Sequence, residues 1–194
     1  HDESKVFKSE NITVIKGLAH FITPWTVSVG LRHYSARSFL IATGSRPYIP
    51  KITGLEEAGY ITYKEAGSLA KLPKSIFMIG GGATAYEYAQ IFSTFGVRVH
   101  IAENSAHLFN KEDPEVGDSA AAALEAKGVR VHVATKVVHI SGGKNRKIVT
   151  FEQHGQQHRV AVEEIMVTSG KVPNTDIGLE NTGVYFTEEG IRVN

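Results

Sequence analysis

Residues Ser75-Ile76-Phe77-Met78-Ile79-Gly80-Gly81-Gly82-Ala83-Thr84-Ala85 decide the fold. Ser75 to Ile79 is a short, wholly apolar run of the kind that forms a strand covered on both faces. Three glycines follow at once. Ala83 to Phe95 (ATAYEYAQIFSTF) then reads as a helix, with Gly96 as its natural stop. Gly80 to Ala85 fits the G-x-G-x-x-G/A pattern in the strand-to-helix setting that the pattern requires. The chemistry explains the residue types. Gly80 permits a tight turn. Gly82, without a Cβ, lets a pyrophosphate approach the backbone. Ala85 lets the helix pack close to the sheet. N–H groups of Ala83 and Thr84 at the helix start, with Gly81 in the turn, face the phosphate charge. The alternative reading is a purely structural glycine turn.

The residues downstream extend the pattern. Val97 to Ala102 (VRVHIA) reads as a second strand ending at Glu103, 103 − 82 = 21 positions after Gly82. A dinucleotide fold expects an acid about 20 residues on, to accept hydrogen bonds from the adenosine ribose. An acid that merely ends a strand in solvent is the alternative. Asp113 and Pro114 mark the start of a second helix, which stops at Gly128. Val129 to Val133 is a third strand. The order strand–helix–strand–helix–strand implies a parallel sheet. Val137 to Ser141, Ile148 to Glu152 and His158 to Val162 read as an antiparallel meander with turns at Gly142-Gly143 and Gly155. Ile165 to Thr168 is a last strand. The fold class is therefore α/β: a Rossmann-like nucleotide-binding domain, with a parallel sheet plus an antiparallel β-meander.

Before this domain, Asn11 to Lys16 and Ser38 to Ala42 read as short strands. Thr26 to Val29 and Arg32 to Ser35 read as a hairpin around Gly30-Leu31. The stretch bearing Pro47, Pro50, Gly54 and Gly59 reads as an extended connector, and proteolysis is expected first near Glu56 to Tyr63 or in the terminal segments.

Composition narrows the function classes. The 194 residues are 42% hydrophobic and 21% charged, with a formal net charge of +1 and no basic run, which disfavours nucleic acid as a partner. No apolar stretch approaches a membrane span, and a cytoplasmic location is the default. The absence of cysteine excludes disulfide and zinc-thiolate chemistry within these residues. Nine histidines show no helical H-x-x-x-H pair, so no metal site is expected.

Two further segments carry a family resemblance. Ile41-Ala42-Thr43-Gly44-Ser45-Arg46-Pro47, with Pro50 and Gly54, resembles the ATG-x-x-P-x-x-P junction of flavin-dependent pyridine nucleotide–disulphide oxidoreductases. Thr168-Ser169-Gly170-Lys171-Val172-Pro173-Asn174 resembles that family's ATGRxPN return segment, and Gly80 to Glu87 resembles its GGGYIGxE turn. The flavour is that of dihydrolipoamide dehydrogenases and mercuric reductases. The resemblance implies a partial FAD-binding domain over residues 1–70, an NAD-binding domain over 71–168, and a return segment into the FAD domain over 169–194. It implies that Ala19, Thr43 and Gly44 lie beside FAD. Gly80, Gly82 and Glu103 would hold NAD, Val137 would pack against its adenine, and Gly170 would border the nicotinamide side. Glu87 sits where the family has a catalytic glutamate paired with a flavin-side lysine; an acid placed early in a helix is the equal alternative.

The implied activity is hydride transfer from NADH to FAD and onward to a disulfide or another acceptor. The expected partners are NADH, the remaining FAD and dimerisation domains, and a second copy of the parent chain in a homodimer. NAD is expected over NADP, because Glu103 would face the 2′ position. Two departures stand out. Ala83 replaces the family's common aromatic gate, and Lys171 replaces its usual arginine. No redox cysteine pair and no second glycine-rich turn occur in these residues, so the isolated chain is expected to be a piece of the enzyme that retains little flavin and is inactive. An NADH oxidase-type flavoprotein and an NAD-binding module without turnover are the alternative functions. An S-adenosylmethionine methyltransferase shares the strand–glycine–helix start, but the ATGSRP and SGKVPN segments argue against it.

Overall fold

The computed structural model describes residues 12–193, so Asn11, the first residue of one expected strand, lies outside the described residues. The described residues form two compact units, one of residues 12–46 with 172–193 and one of residues 47–171. In the first, β1 (Ala19–Thr23), β2 (Thr26–Val29) and β3 (Arg32–Ser35) form an antiparallel sheet, and the expected Gly30-Leu31 hairpin is present. Phe21 is buried and meets Phe39 edge-on at 5.0 Å. Residues 12–16 and Ser38 to Ala42 are not strands. An extended segment becomes a strand only by pairing its backbone, and neither finds a ladder among the described residues. Leu40 is 94% exposed as a result.

β4 (Ser45–Pro47) leads into the second unit. The expected extended connector instead contains two one-turn helices, α1 (Leu55–Ala58) and α2 (Tyr63–Ala66). Burial explains the difference. Leu55, Ala58 and Ile61 enter the core, and Ile61 bridges Met166 in parallel. Gly54, at φ 84°, starts α1 where a Cβ would strike the Ile140 carbonyl. Thr62 and Glu65 form a capping box on α2: Glu65 Oε2 accepts from the Thr62 N–H at 2.8 Å. The expected domain cut at 70/71 thus falls inside a compact unit that begins at Pro47 and runs to Lys171.

The rest of this unit follows the sequence closely. β5 (Ser75–Ile79), α3 (Ala83–Thr94), β6 (Arg98–Ala102), α4 (Pro114–Glu125) and β7 (Arg130–His132) alternate as read. β8 (Thr135–Gly143), β9 (Arg146–Gln153) and β10 (Gln156–Val162) form the antiparallel meander, and β11 (Glu164–Val167) returns to the parallel sheet, ordered β11-β5-β6-β7. One meander turn lies at Lys144-Asn145 rather than at Gly142-Gly143, which remain in β8.

Every residue of β5 is buried, because it is central and covered twice. Ile76 and Met78 face the helices with Ala85, Ala89 and Phe92 of α3 and Leu124 of α4. Phe77 and Ile79 face the meander with Ile140, Val149 and Phe151. Alternation along one strand so feeds two cores. Inside, Lys147 pairs with Glu164, as a buried cation must. After β12 (Lys171–Pro173) the first unit is completed by a 3-10 turn, Leu179–Asn181, and by β13 (Phe186–Thr187) paired with β14 (Gly190–Ile191).

Candidate nucleotide site

The turn after β5 is built from close backbone contacts, and its three glycines do different work. Gly80 has φ 110°, and a Cβ there would lie 2.7 Å from Ser169 Cα and the Thr168 carbonyl. The Thr168 hydroxyl donates to the Gly80 carbonyl at 2.8 Å, and the Ser169 hydroxyl to that of Ile79 at 2.8 Å. At Gly81 a Cβ would meet Leu108 Cδ2 at 2.6 Å and Glu103 Cβ at 2.8 Å. At Gly82, the N-cap of α3, a Cβ would meet nothing within 4 Å.

Gly80 and Gly81 therefore answer to the protein's own packing, while Gly82 keeps a space clear on the outside. No side chain caps α3, and its first turn holds no acid. The N–H groups that open a helix have no intrahelical partner, and Gly82 cannot supply one. The result is a cluster of backbone donors at the positive end of a 12-residue helix, facing open space. Ala83 is exposed, Thr84 half-buried and Ala85 fully buried against the sheet, the role its small size suggested.

Glu103 does more than end a strand. It is 9% exposed. Its Oε2 accepts from the Gly81 N–H at 2.6 Å and its Oε1 from the Ser105 N–H at 2.8 Å. Its own backbone is tied to β7 and β8: its N–H donates to the His132 carbonyl, and its carbonyl accepts from Thr135, each at 2.8 Å. The carboxylate thus binds the glycine turn to the loop after β6. Two backbone donors leave about half of its acceptor capacity free.

The other residues singled out in the sequence are dispersed. Val137, 9% exposed, packs in the meander-side core with Phe151. Gly170 is exposed at φ 115°, and its carbonyl accepts from the Tyr48 N–H at 2.9 Å. Glu87 is exposed on α3 and makes no ion pair among the described residues. Lys171 lies over the Tyr63 ring, 4.9 Å from its centroid. In the first unit Ala19, Thr43 and Gly44 are all exposed. The two junction motifs meet there. The Thr43 hydroxyl donates to the Asn174 carbonyl at 2.7 Å, the Asn174 amide donates back to the Thr43 carbonyl at 2.9 Å, and Arg46 donates to Asn174 Oδ1 at 2.9 Å. The sequence reading gave Arg46 and Asn174 no role of their own, though both motifs contain them.

A second polar cluster went unread. His100, buried, and His132, half-buried, stack against the core facing the meander, His100 Nδ1 3.2 Å from His132 Nε2, their rings nearly parallel to that of Phe77. Burial, then the neighbouring His132, Arg130 and Arg98, pushes His100 down to about 4. Burial also lowers His132, against a hydrogen bond to Gln153. Among the described residues no group of three or more side chains is placed to hold a metal ion, and no helix is long and apolar enough to cross a membrane.

The family model for pyridine nucleotide-disulphide oxidoreductases matches residues 2–194, and the chain belongs to that family. A mercuric reductase from Shigella flexneri is 34% identical over 191 residues, covering 94% of this chain and 33% of the relative. A dihydrolipoyl dehydrogenase from Thermus scotoductus is 32% identical over 193 residues, covering 97% and 42%. The HOCl-induced flavoprotein disulfide reductase RclA from Escherichia coli superposes with a TM-score of 0.82 at 29% identity, over 95% of this chain and 42% of that one. The chain spans between a third and a half of the length of these relatives.

Proposed function

We propose that this chain supplies the NADH-binding part of a flavoprotein oxidoreductase that passes a hydride from NADH to FAD and onward to a disulfide or another acceptor. One observation carries the reading: Gly82, whose missing Cβ borders open space, stands at the uncapped start of α3. A structural turn would fill that space or cap the helix. A dinucleotide needs both left open.

In this reading the N–H groups at the start of α3 receive the pyrophosphate, and Gly82 gives it access. The free lone pairs of Glu103 accept a ribose hydroxyl. When bound, the two cofactors supply the redox chemistry, and this part of the protein supplies position and charge. Ala19, Thr43 and Gly44 would border the flavin, with Gly170 on the nicotinamide side, Val137 beneath the adenine and Glu87 toward the flavin-side lysine. The complete enzyme would be a homodimer.

NAD is preferred over NADP. The 2′-phosphate of NADP would sit beside the Glu103 carboxylate, a like-charge contact costing about 1 kcal/mol at 4 Å in water and about 4 kcal/mol at an effective dielectric of 20. Calorimetric titration tests the proposal. NADH should bind saturably and more tightly than NADPH, and Gly82→Val should abolish binding while leaving the far-ultraviolet spectrum unchanged. NADH affinity retained within a few-fold by the variant would contradict it.

A further inference from the structure

The N-terminal ends of β5 and β6 lie on the far side of the sheet from the glycine turn, roughly 16 Å along the strand at 3.3 Å per residue. A cleft of about 290 Å3 opens there, lined by Ser75, Arg98, His100, Gly128, Arg130 and the Val160-Ala161 pair. Arg98 and Arg130 are exposed, come from neighbouring strands, and make no ion pair among the described residues. The nearby carboxylate, that of Glu163, accepts the Lys74 N–H at 2.8 Å and makes no ion pair with either arginine. Two guanidinium groups at one cleft without a carboxylate between them repel each other, an arrangement that an anion relieves.

His100 adds a directed group. It is 7% exposed, and its Nδ1 is taken by His132. No buried side-chain nitrogen or oxygen among the described residues lacks a partner, so the remaining Nε2 reaches solvent, and the solvent it can reach is this cleft. In the tautomer with its proton on Nδ1, His100 donates to His132 Nε2 and leaves its own Nε2 a bare lone pair toward the cleft. A proton taken up there would turn it into a third donor.

We infer that this cleft is a second site, distinct from the nucleotide turn, that binds a tetrahedral oxyanion of the phosphate class through Arg98 and Arg130, with His100 taking up a proton as the anion enters. The charged and titratable groups acting on His100 are Arg98 on its own strand and Arg130 and His132 on β7, with His158 of β10 acting on His132. All oppose protonation, and a bound dianion offsets them. For an oxyanion that stays a dianion over the range, such as sulfate, affinity therefore rises as pH falls from 7 toward 5; phosphate loses its own second charge over that range.

Sulfate, a dianion at both pH values, titrated into the whole chain at pH 7 and pH 5, and inorganic phosphate and glycerol phosphate titrated at pH 7, test the inference, with the His100 ring signal followed by NMR. Saturable millimolar binding is expected, with upward titration of the His100 signal and a loss of roughly tenfold or more in Arg98→Gln and in Arg130→Gln. Thermal melting confirms that both variants fold. Gly82→Val should keep this binding, and His100→Phe should keep it at pH 7 while losing its pH dependence. Phosphate and the ester binding alike would mean that the cleft reads the oxyanion alone; preference for the ester would mean that it also reads the attached group. Absence of saturable binding, binding that survives both arginine changes, or binding lost in Gly82→Val would overturn the inference.

Discussion

Adjacent glycines with one identity carry three different constraints. Gly80 and Gly81 are held by internal contacts, Gly82 by the need for a vacancy. Gly81→Ala must push against Glu103 and Leu108, so urea denaturation should show a loss of about 1–3 kcal/mol. Stability unchanged within error would mean that the turn relaxes freely. Glu103 has a comparable double duty. Reversing its charge with arginine would confound specificity with the loss of two backbone hydrogen bonds. Glu103→Gln is the cleaner change. It keeps the shape, removes the charge and turns an NH2 toward either Gly81 or Ser105. The melting temperature should fall, and the preference for NADH over NADPH should shrink by roughly tenfold. An unchanged ratio would remove Glu103 from cofactor choice. The sequence made Glu103 legible as an acid at the right spacing, but not as the tie between two loops, because hydrogen bonds to backbone leave no periodic trace.

At the level of elements, legibility followed local signals. β5, α3, β6 and α4 announced themselves by apolar runs, a glycine stop and an Asp-Pro start. α1 and α2 are too short for helical periodicity to show. Thr62-x-x-Glu65 was nonetheless a readable capping box, overshadowed by the prolines and glycines around it. Ser38 to Ala42 failed the other way. Its composition suits a strand, but strand formation depends on a partner that local sequence does not contain. The His100–His132 pair was missed because alternation along β6 marks His100 only as inward-facing. It has a measurable consequence. A histidine whose folded pKa lies below its unfolded value binds fewer protons folded than unfolded, so stability falls as pH drops from 6.5 and levels off below about 4. The loss from His100 is at most about 3 kcal/mol. Denaturant unfolding at pH 7 and pH 4.5 should show it, and His100→Phe should remove much of the difference. Identical pH dependence in the variant would show that His100 is not its source.

For the whole molecule, the parallel sheet and meander form one compact unit from Pro47 to Lys171, with the glycine turn at one end of its strands and the arginine cleft at the other. The central claim is that a dinucleotide binds at the first of these. Backbone amide NMR during titration with NADH tests it most directly. The account predicts that the amides of Gly82, Ala83, Thr84 and Ala85 shift most, with Gly81 and Ser105 following as the Glu103 carboxylate shares its acceptors, while the amides of Arg98 and Arg130 stay in place. Saturable NADH binding that leaves the start of α3 unmoved, or no binding at all, would contradict it.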